Sequence, residues 1–208
     1  MRIPSNSRVL FQGDSITDSD RDYRNPDSLG KGYVMMVAER FFARYPEVSV
    51  RFLNRGISGN RIRDLSVRWQ KDCLNLKPDI VSILIGVNDT LSTVFWGEPT
   101  SIESFEEDFV SILNSTCKNL DVQIVLLEPF LLPLSKEQRV LRQGIDARIR
   151  VVRKMAKEFE TALVKLDSAF FEAAKVNAPE FWSTDGVHPT PAGHSLIAES
   201  WLGNMAPT

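Results

Sequence analysis

Arg8-Val9-Leu10-Phe11-Gln12-Gly13-Asp14-Ser15-Ile16-Thr17 is the stretch on which the fold turns. Its apolar centre reads as a buried strand, ended by glycine and two small polar residues. A serine at that junction is placed to be a nucleophile, because ligands in open α/β sheets bind in the crevice at the carboxyl ends of the strands. Gly13-Asp14-Ser15 alone is too short to specify an activity. The rest of the chain has to supply a base, a group that orients it, and donors for an oxyanion.

Outward from residues 8–12, further apolar runs predict strands over 49–53, 80–85, 123–127 and 162–166. Between them lie helical stripes stepping by three or four, such as Val34, Val37, Phe41 and Tyr45, or Leu141, Ile145, Ile149, Val152 and Phe159. Ser104-Phe-Glu-Glu107 fits a capping box and predicts a helix starting one turn after Ser101. Thr190-Pro191 opens a last helix, with Gly203 to close it. Strand–helix alternation along the whole chain predicts one α/β domain over residues 1–208. Its strands pair in parallel, and its helices cover both faces as a three-layer α/β/α sandwich. The least regular segments, 18–31, 90–100, 128–136 and 178–189, are expected to gather at one edge as pocket walls.

Bulk properties narrow the function. With 208 residues and a net charge of −2, the chain has no electrostatic footprint for nucleic acid or an anionic membrane. Residues 1–8 have no apolar signal region and no run reaches membrane-spanning length, so the expected compartment is the cytoplasm. Cys73 and Cys117 stand alone and read as reduced helix residues. No metal and no cofactor is expected. The acidic run Asp18-Ser-Asp20-Arg-Asp22 lacks the glycine and the final acidic ligand of a calcium loop, with Tyr23 and Leu29 there instead. Zinc and phosphate-loop spacings are absent, and Thr17 stands where an α/β-hydrolase elbow requires its second glycine.

The chain has only two histidines, so the search for a base is short. His188 follows Asp185 by three residues, close enough for the carboxylate to fold back onto Nδ1–H and leave Nε2 to act. His194, inside the last helix, reads as a packing or surface residue. Gly56 ends the second strand and Asn88 the third. With the Ser15 amide, the Gly56 amide and the Asn88 side chain make three candidate oxyanion donors. Each residue also fits a plain role: Asp185 in a turn, Gly56 as a turn former, Asn88 in an Asx-turn. Their joint occurrence at consecutive strand ends favours the chemistry.

Gly13-Asp14-Ser15, Gly56, Gly86-x-Asn88-Asp89 and Asp185-x-x-His188-Pro189 resemble, in order and spacing, the four signature blocks of the SGNH (GDSL-type) hydrolases. The chain departs from that family's name-giving motif at Ile16-Thr17, where leucine is usual. The resemblance implies a flavodoxin-like five-stranded parallel sheet and an acyl-enzyme mechanism. In it Ser15 is the nucleophile, His188 the base, Asp185 its orienter, and Ser15, Gly56 and Asn88 the oxyanion donors. Longer stretches, Asn54-Arg-Gly-Ile-Ser-Gly-Asn60 among them, are similar to the intracellular acetylxylan esterase branch, which deacetylates xylo-oligosaccharides.

Asp14, Trp96 and Phe130 are the expected substrate contacts, the last two from apolar loops that suit an acyl chain or a sugar ring. The same apolar loops, together with Trp201, also suit a subunit interface, so a homo-oligomer stays open. A lysophospholipase or thioesterase is the alternative enzyme, and a non-catalytic carbohydrate-binding protein the alternative of another class.

Overall fold

The computed structural model describes residues 2–95, 97 and 100–207. A short strand β1 (Arg2–Ile3) pairs in parallel with the last one, β7 (Ala206–Pro207), and ties the two ends of the described chain together. Between them β2 (Ser7–Gly13), β3 (Val50–Asn54), β4 (Ile80–Leu84), β5 (Gln123–Leu127) and β6 (Ala162–Val164) form a five-stranded, all-parallel sheet in the order β3-β2-β4-β5-β6. This is the flavodoxin-like order, and all five strands lie where the apolar runs predict them within two residues.

Side chains alternate across a strand, so one strand feeds two cores. From β2, Val9 and Phe11 join a cluster with α2 (Tyr33–Arg44) and α9 (Pro191–Leu202), while Leu10 joins Leu65 and Trp69 of α3 (Ile62–Asp72) and Phe109 of α5 (Ile102–Asn119). The long helix α6 (Lys136–Glu158) serves both, with Ile145 and Ile149 in the first cluster and Val152 and Met155 in the second. Each such fully buried aliphatic side chain stabilises the fold by about 1.5–3 kcal/mol. Trp201, which by sequence also suits a subunit interface, is fully buried, and its Nε1 donates to Ser82 Oγ on β4 at 3.0 Å. That bond satisfies the indole donor inside the core, so the side chain has no surface to offer a partner.

Helix ends show where local chemistry wins. Ser101 Oγ accepts from Ser104 N at 3.0 Å, so α5 starts a turn earlier than the Ser104–Glu107 pattern predicts. Thr190 Oγ1 accepts from Gly193 N at 3.2 Å, as the Thr-Pro signal anticipates for α9. The predicted irregular segment 90–100 is partly helical, because α4 (Val87–Phe95) begins directly after β4. Strand β6 stops at Val164, short of the predicted residue 166, and α7 (Leu166–Ala173) takes up its end. Among the described residues no helix is long and apolar enough to cross a membrane.

The chain runs from β2 outward to β3 and then returns to the other side of β2 as β4. The carboxyl ends of β2 and β4 therefore flank the point where the strand order reverses, and a crevice opens there. Ser15 opens a single-turn helix, α1 (Ser15–Asp18), after β2, and Asn88 lies in the first turn of α4 after β4.

Candidate active site

A cavity of about 520 Å³ at this edge is lined by Ser15, Ser58, Gly59, Asn88, Leu91, Gln138, Leu141, Asp185, Val187 and His188. A wider groove of about 750 Å³ lies at the amino ends of the strands among Arg8, Lys77, Asp79 and Asn119, far from any paired nucleophile and base.

Ser15 Oγ is 3.0 Å from His188 Nε2, and His188 Nδ1 is 2.7 Å from Asp185 Oδ2. The second carboxylate oxygen, Asp185 Oδ1, accepts from Val187 N at 2.9 Å and His188 N at 2.7 Å, so one aspartate both shapes the turn and aims the ring. The His188 carbonyl is held in turn by Thr184 N at 2.9 Å and Ser183 Oγ at 2.9 Å. Partial burial works to raise the Asp185 carboxyl. The backbone and ring bonds from His188 and the Val187 amide outweigh it, and the group sits below the usual carboxylate range. Asp185 therefore stays ionised wherever His188 needs a negative partner.

The turn is pinned from outside as well. Leu132 N donates to Gly186 O at 2.9 Å, and Gln138 Nε2 donates to Asp185 O at 2.5 Å. Gly186 has φ +86°, and a β-carbon there would meet Leu132 O at 2.6 Å, so glycine is what lets the turn lie flat against this strap.

Gly56 requires a correction. Its amide donates to Asn54 Oδ1 at 2.8 Å and is not among the cavity wall residues, so it has no proton to offer an oxyanion. The glycine is needed for close approach instead, since a β-carbon would meet Asp18 N at 2.3 Å. Gly59, three residues on, does line the cavity, and its N–H takes no acceptor among the described residues. Asn88 Nδ2 donates one proton to Asn60 O at 3.0 Å, which orients the amide and leaves its second proton available. Gly59 was visible in Asn54-Arg-Gly-Ile-Ser-Gly-Asn60, but spacing alone does not tell which amide a neighbouring side chain has already used.

The three expected substrate contacts fare differently. Asp14 is buried and caps α1 by accepting from Ile16 N at 3.0 Å. Burial pushes its carboxyl up to about 7, and it is not a cavity wall. Phe130 is fully buried and stacks on Phe170 with ring centroids 4.0 Å apart, because the apolar run 130–132 packs inward as core. Trp96 lies outside the described residues. The walls that sequence reasoning missed, Leu91, Gln138 and Leu141, come from helices whose exposed faces carry no local signal of what they face.

His194 is away from the chemistry. Its Nδ1 accepts from Tyr33 N at 3.1 Å and so caps the start of α2. Burial, with a smaller contribution from His188, lowers its pKa to about 4. A histidine that ionises near 6.5 unfolded but near 4 folded makes the unfolded chain the better proton acceptor between those values. Its linked stability is thus complete above pH 6.5 and lost on acidification toward pH 4, amounting to about 3 kcal/mol. Denaturant midpoints measured from pH 8 to 4 should fall less steeply for His194→Asn, whose amide oxygen can keep the cap. Parallel acid limbs for the two proteins would contradict this.

A flavodoxin-like sheet that presents a serine, histidine and aspartate in hydrogen-bonded series beside free amide donors defines a serine-type ester hydrolase. The sequence matches the GDSL-like Lipase/Acylhydrolase family over residues 11–196. It is 38% identical over 210 residues to an acetylxylan esterase of Geobacillus stearothermophilus, covering 97% of this chain and 95% of that one. The crystal structure of that organism's Axe2, an acetylxylan esterase, superposes with a TM-score of 0.91 at 37% identity, covering 98% and 96% of the two chains. Solved forms of Axe2 include catalytic mutants at a serine, a histidine and an aspartate. A GDSL-like protein from Parabacteroides merdae matches with a TM-score of 0.93 at 36% identity, over 98% and 97% of the chains. This chain belongs to the GDSL-like lipase/acylhydrolase family and is a carboxylic ester hydrolase.

Proposed function

We propose that this enzyme removes O-acetyl groups from small acetylated carbohydrates such as xylo-oligosaccharides, through an acyl-enzyme formed on Ser15. The observation that carries the chemistry is the unbroken series from Ser15 Oγ through the His188 ring to Asp185 Oδ2, with links of 3.0 and 2.7 Å. His188 Nε2 takes the hydroxyl proton as Ser15 Oγ attacks the ester carbonyl. The Ser15 and Gly59 amides and the Asn88 side chain receive the oxyanion. His188 returns the proton to the leaving alcohol, then activates a water that releases acetate. The sugar substrate is supported by the near full-length similarity to an acetylxylan esterase.

One observation favours a second reading. Leu91, Leu141 and Val187 give the cavity an apolar side that suits a longer acyl chain, as in lipolytic esterases. A panel of acetylated xylo-oligosaccharides, 4-nitrophenyl esters from acetate to laurate, and lysophospholipid separates the two. Highest kcat/KM on the acetylated sugars is expected. A steady rise in kcat/KM with acyl length would overturn the acetyl-sugar reading while leaving ester hydrolysis intact.

A further inference from the structure

The segment after α1 closes over the oxyanion loop through a buried carboxylate. Asp18 Oδ2 accepts from Ser58 Oγ at 2.7 Å, from Ser58 N at 3.1 Å and from the Tyr23 hydroxyl, while Asp18 Oδ1 accepts from Arg21 N at 3.3 Å. This spends the acidic run 18–22 on structure. It also sets the phenol oxygen of Tyr23 one shared acceptor atom away from Ser58, which is itself a cavity wall. The Tyr23 hydroxyl is thus tied to the same carboxylate that holds a wall residue of the cavity.

Having its hydroxyl anchored, Tyr23 is nonetheless 57% exposed. Arg21 lies over the ring with Cζ 4.2 Å from the centroid, and its Nε donates to Gly56 O at 2.7 Å. The guanidinium covers one ring face, and the opposite face is the one left for a ligand to pack on. Arg21 Nη1 and Nη2 meet no acceptor among the described residues. An aromatic fixed at both its hydroxyl and one face loses little freedom when a ligand packs on it. Beside it, a guanidinium edge carries spare donors in a rigid fork.

That combination matches a pyranose. The axial C–H groups of a sugar ring form a weakly positive apolar face that packs on the negative face of an aromatic ring. Vicinal hydroxyls in the ring plane are acceptors for a guanidinium. We propose that Tyr23 and Arg21 form the alcohol-side subsite of this enzyme and bind the sugar that carries, or adjoins, the ester held at Ser15. Tyr23 supplies the stacking surface and Arg21 the hydroxyl contacts. The subsite rests on the acetyl-carbohydrate reading of the same cavity, and assigns the sugar's place outside it.

The test compares acetylated xylobiose with ethyl acetate, an ester whose alcohol has no ring, in the wild type, Tyr23→Ala and Tyr23→Phe. For Tyr23→Ala, the ratio of kcat/KM for the sugar ester to that for ethyl acetate should fall about tenfold, chiefly through KM, equivalent to roughly 1.4 kcal/mol. Tyr23→Phe keeps the ring and loses the hydroxyl bond to Asp18, so it should retain most of that ratio. If Phe loses as much as Ala, the effect runs through Asp18 and the loop, and the platform is overturned. If Tyr23→Ala lowers both substrates equally, or leaves the sugar preference intact, it is overturned likewise. A wild-type enzyme that cleaves ethyl acetate and not acetylated xylobiose fails at the parent reading, and the subsite falls with it.

Discussion

Ser15→Ala lowers kcat by about 10⁶, His188→Ala by about as much, and the double variant is no slower than either single one. The expectation follows from the 3.0 Å contact between Ser15 Oγ and His188 Nε2. A hydroxyl is a weak nucleophile until a base takes its proton, and a base beside an alanine has nothing to activate. The two side chains act as one unit, and the loss belongs to the unit. What survives is the contribution of Gly59, Asn88 and the Ser15 amide, which the alanine variant keeps, together with binding, worth about 10³–10⁴ over water. Steady-state hydrolysis of 4-nitrophenyl acetate by the three variants measures this, with thermal melting to confirm that each folds. Additive losses in the double variant would mean that serine and histidine serve separate steps. An unimpaired Ser15→Ala would remove the acyl-enzyme altogether.

How far the sequence could be read depended on whether a property is local. The strands of this sheet are covered on both faces, so β4 and β5 are rich in Val, Ile and Leu, with only Ser82 and Gln123 interrupting, and such runs are readable from sequence. The Asp185–His188 pair was equally legible, since a three-residue turn brings carboxylate and ring together without help from elsewhere. Phe130 illustrates the limit. An apolar run after a strand looks the same whether it walls a pocket or, as here, fills the space around Phe170. Gly56 and Gly59 are a second case. What decides between their amides is the Asn54 side chain, folding forward two residues to occupy one of them. Gln138 has no sequence signal because its meaning comes from a turn 47 residues away in the chain.

Asp185→Asn lowers kcat by about 10⁴ and leaves the fold and KM nearly unchanged. Asp185 does two jobs with its two oxygens. Oδ1 holds the Val187 and His188 amides, and Oδ2 faces His188 Nδ1 at 2.7 Å. An asparagine keeps a carbonyl oxygen for the two amides, so the turn persists. Its Nδ2 then sits where Oδ2 was, a donor facing the ring. The imidazole answers by making Nδ1 the acceptor and carrying its proton on Nε2, the nitrogen that must take the Ser15 proton. The base is in place but in the wrong tautomer, and the imidazolium has lost its negative partner. Asp185→Ala separates the two jobs, because it frees the Val187 and His188 amides as well. It should lose at least as much activity and also melt earlier. Kinetics and thermal melts on both variants decide the matter. An asparagine variant that melts as early as the alanine one would make Asp185 chiefly a turn residue. One with wild-type kcat would mean that His188 needs no carboxylate to act as a base.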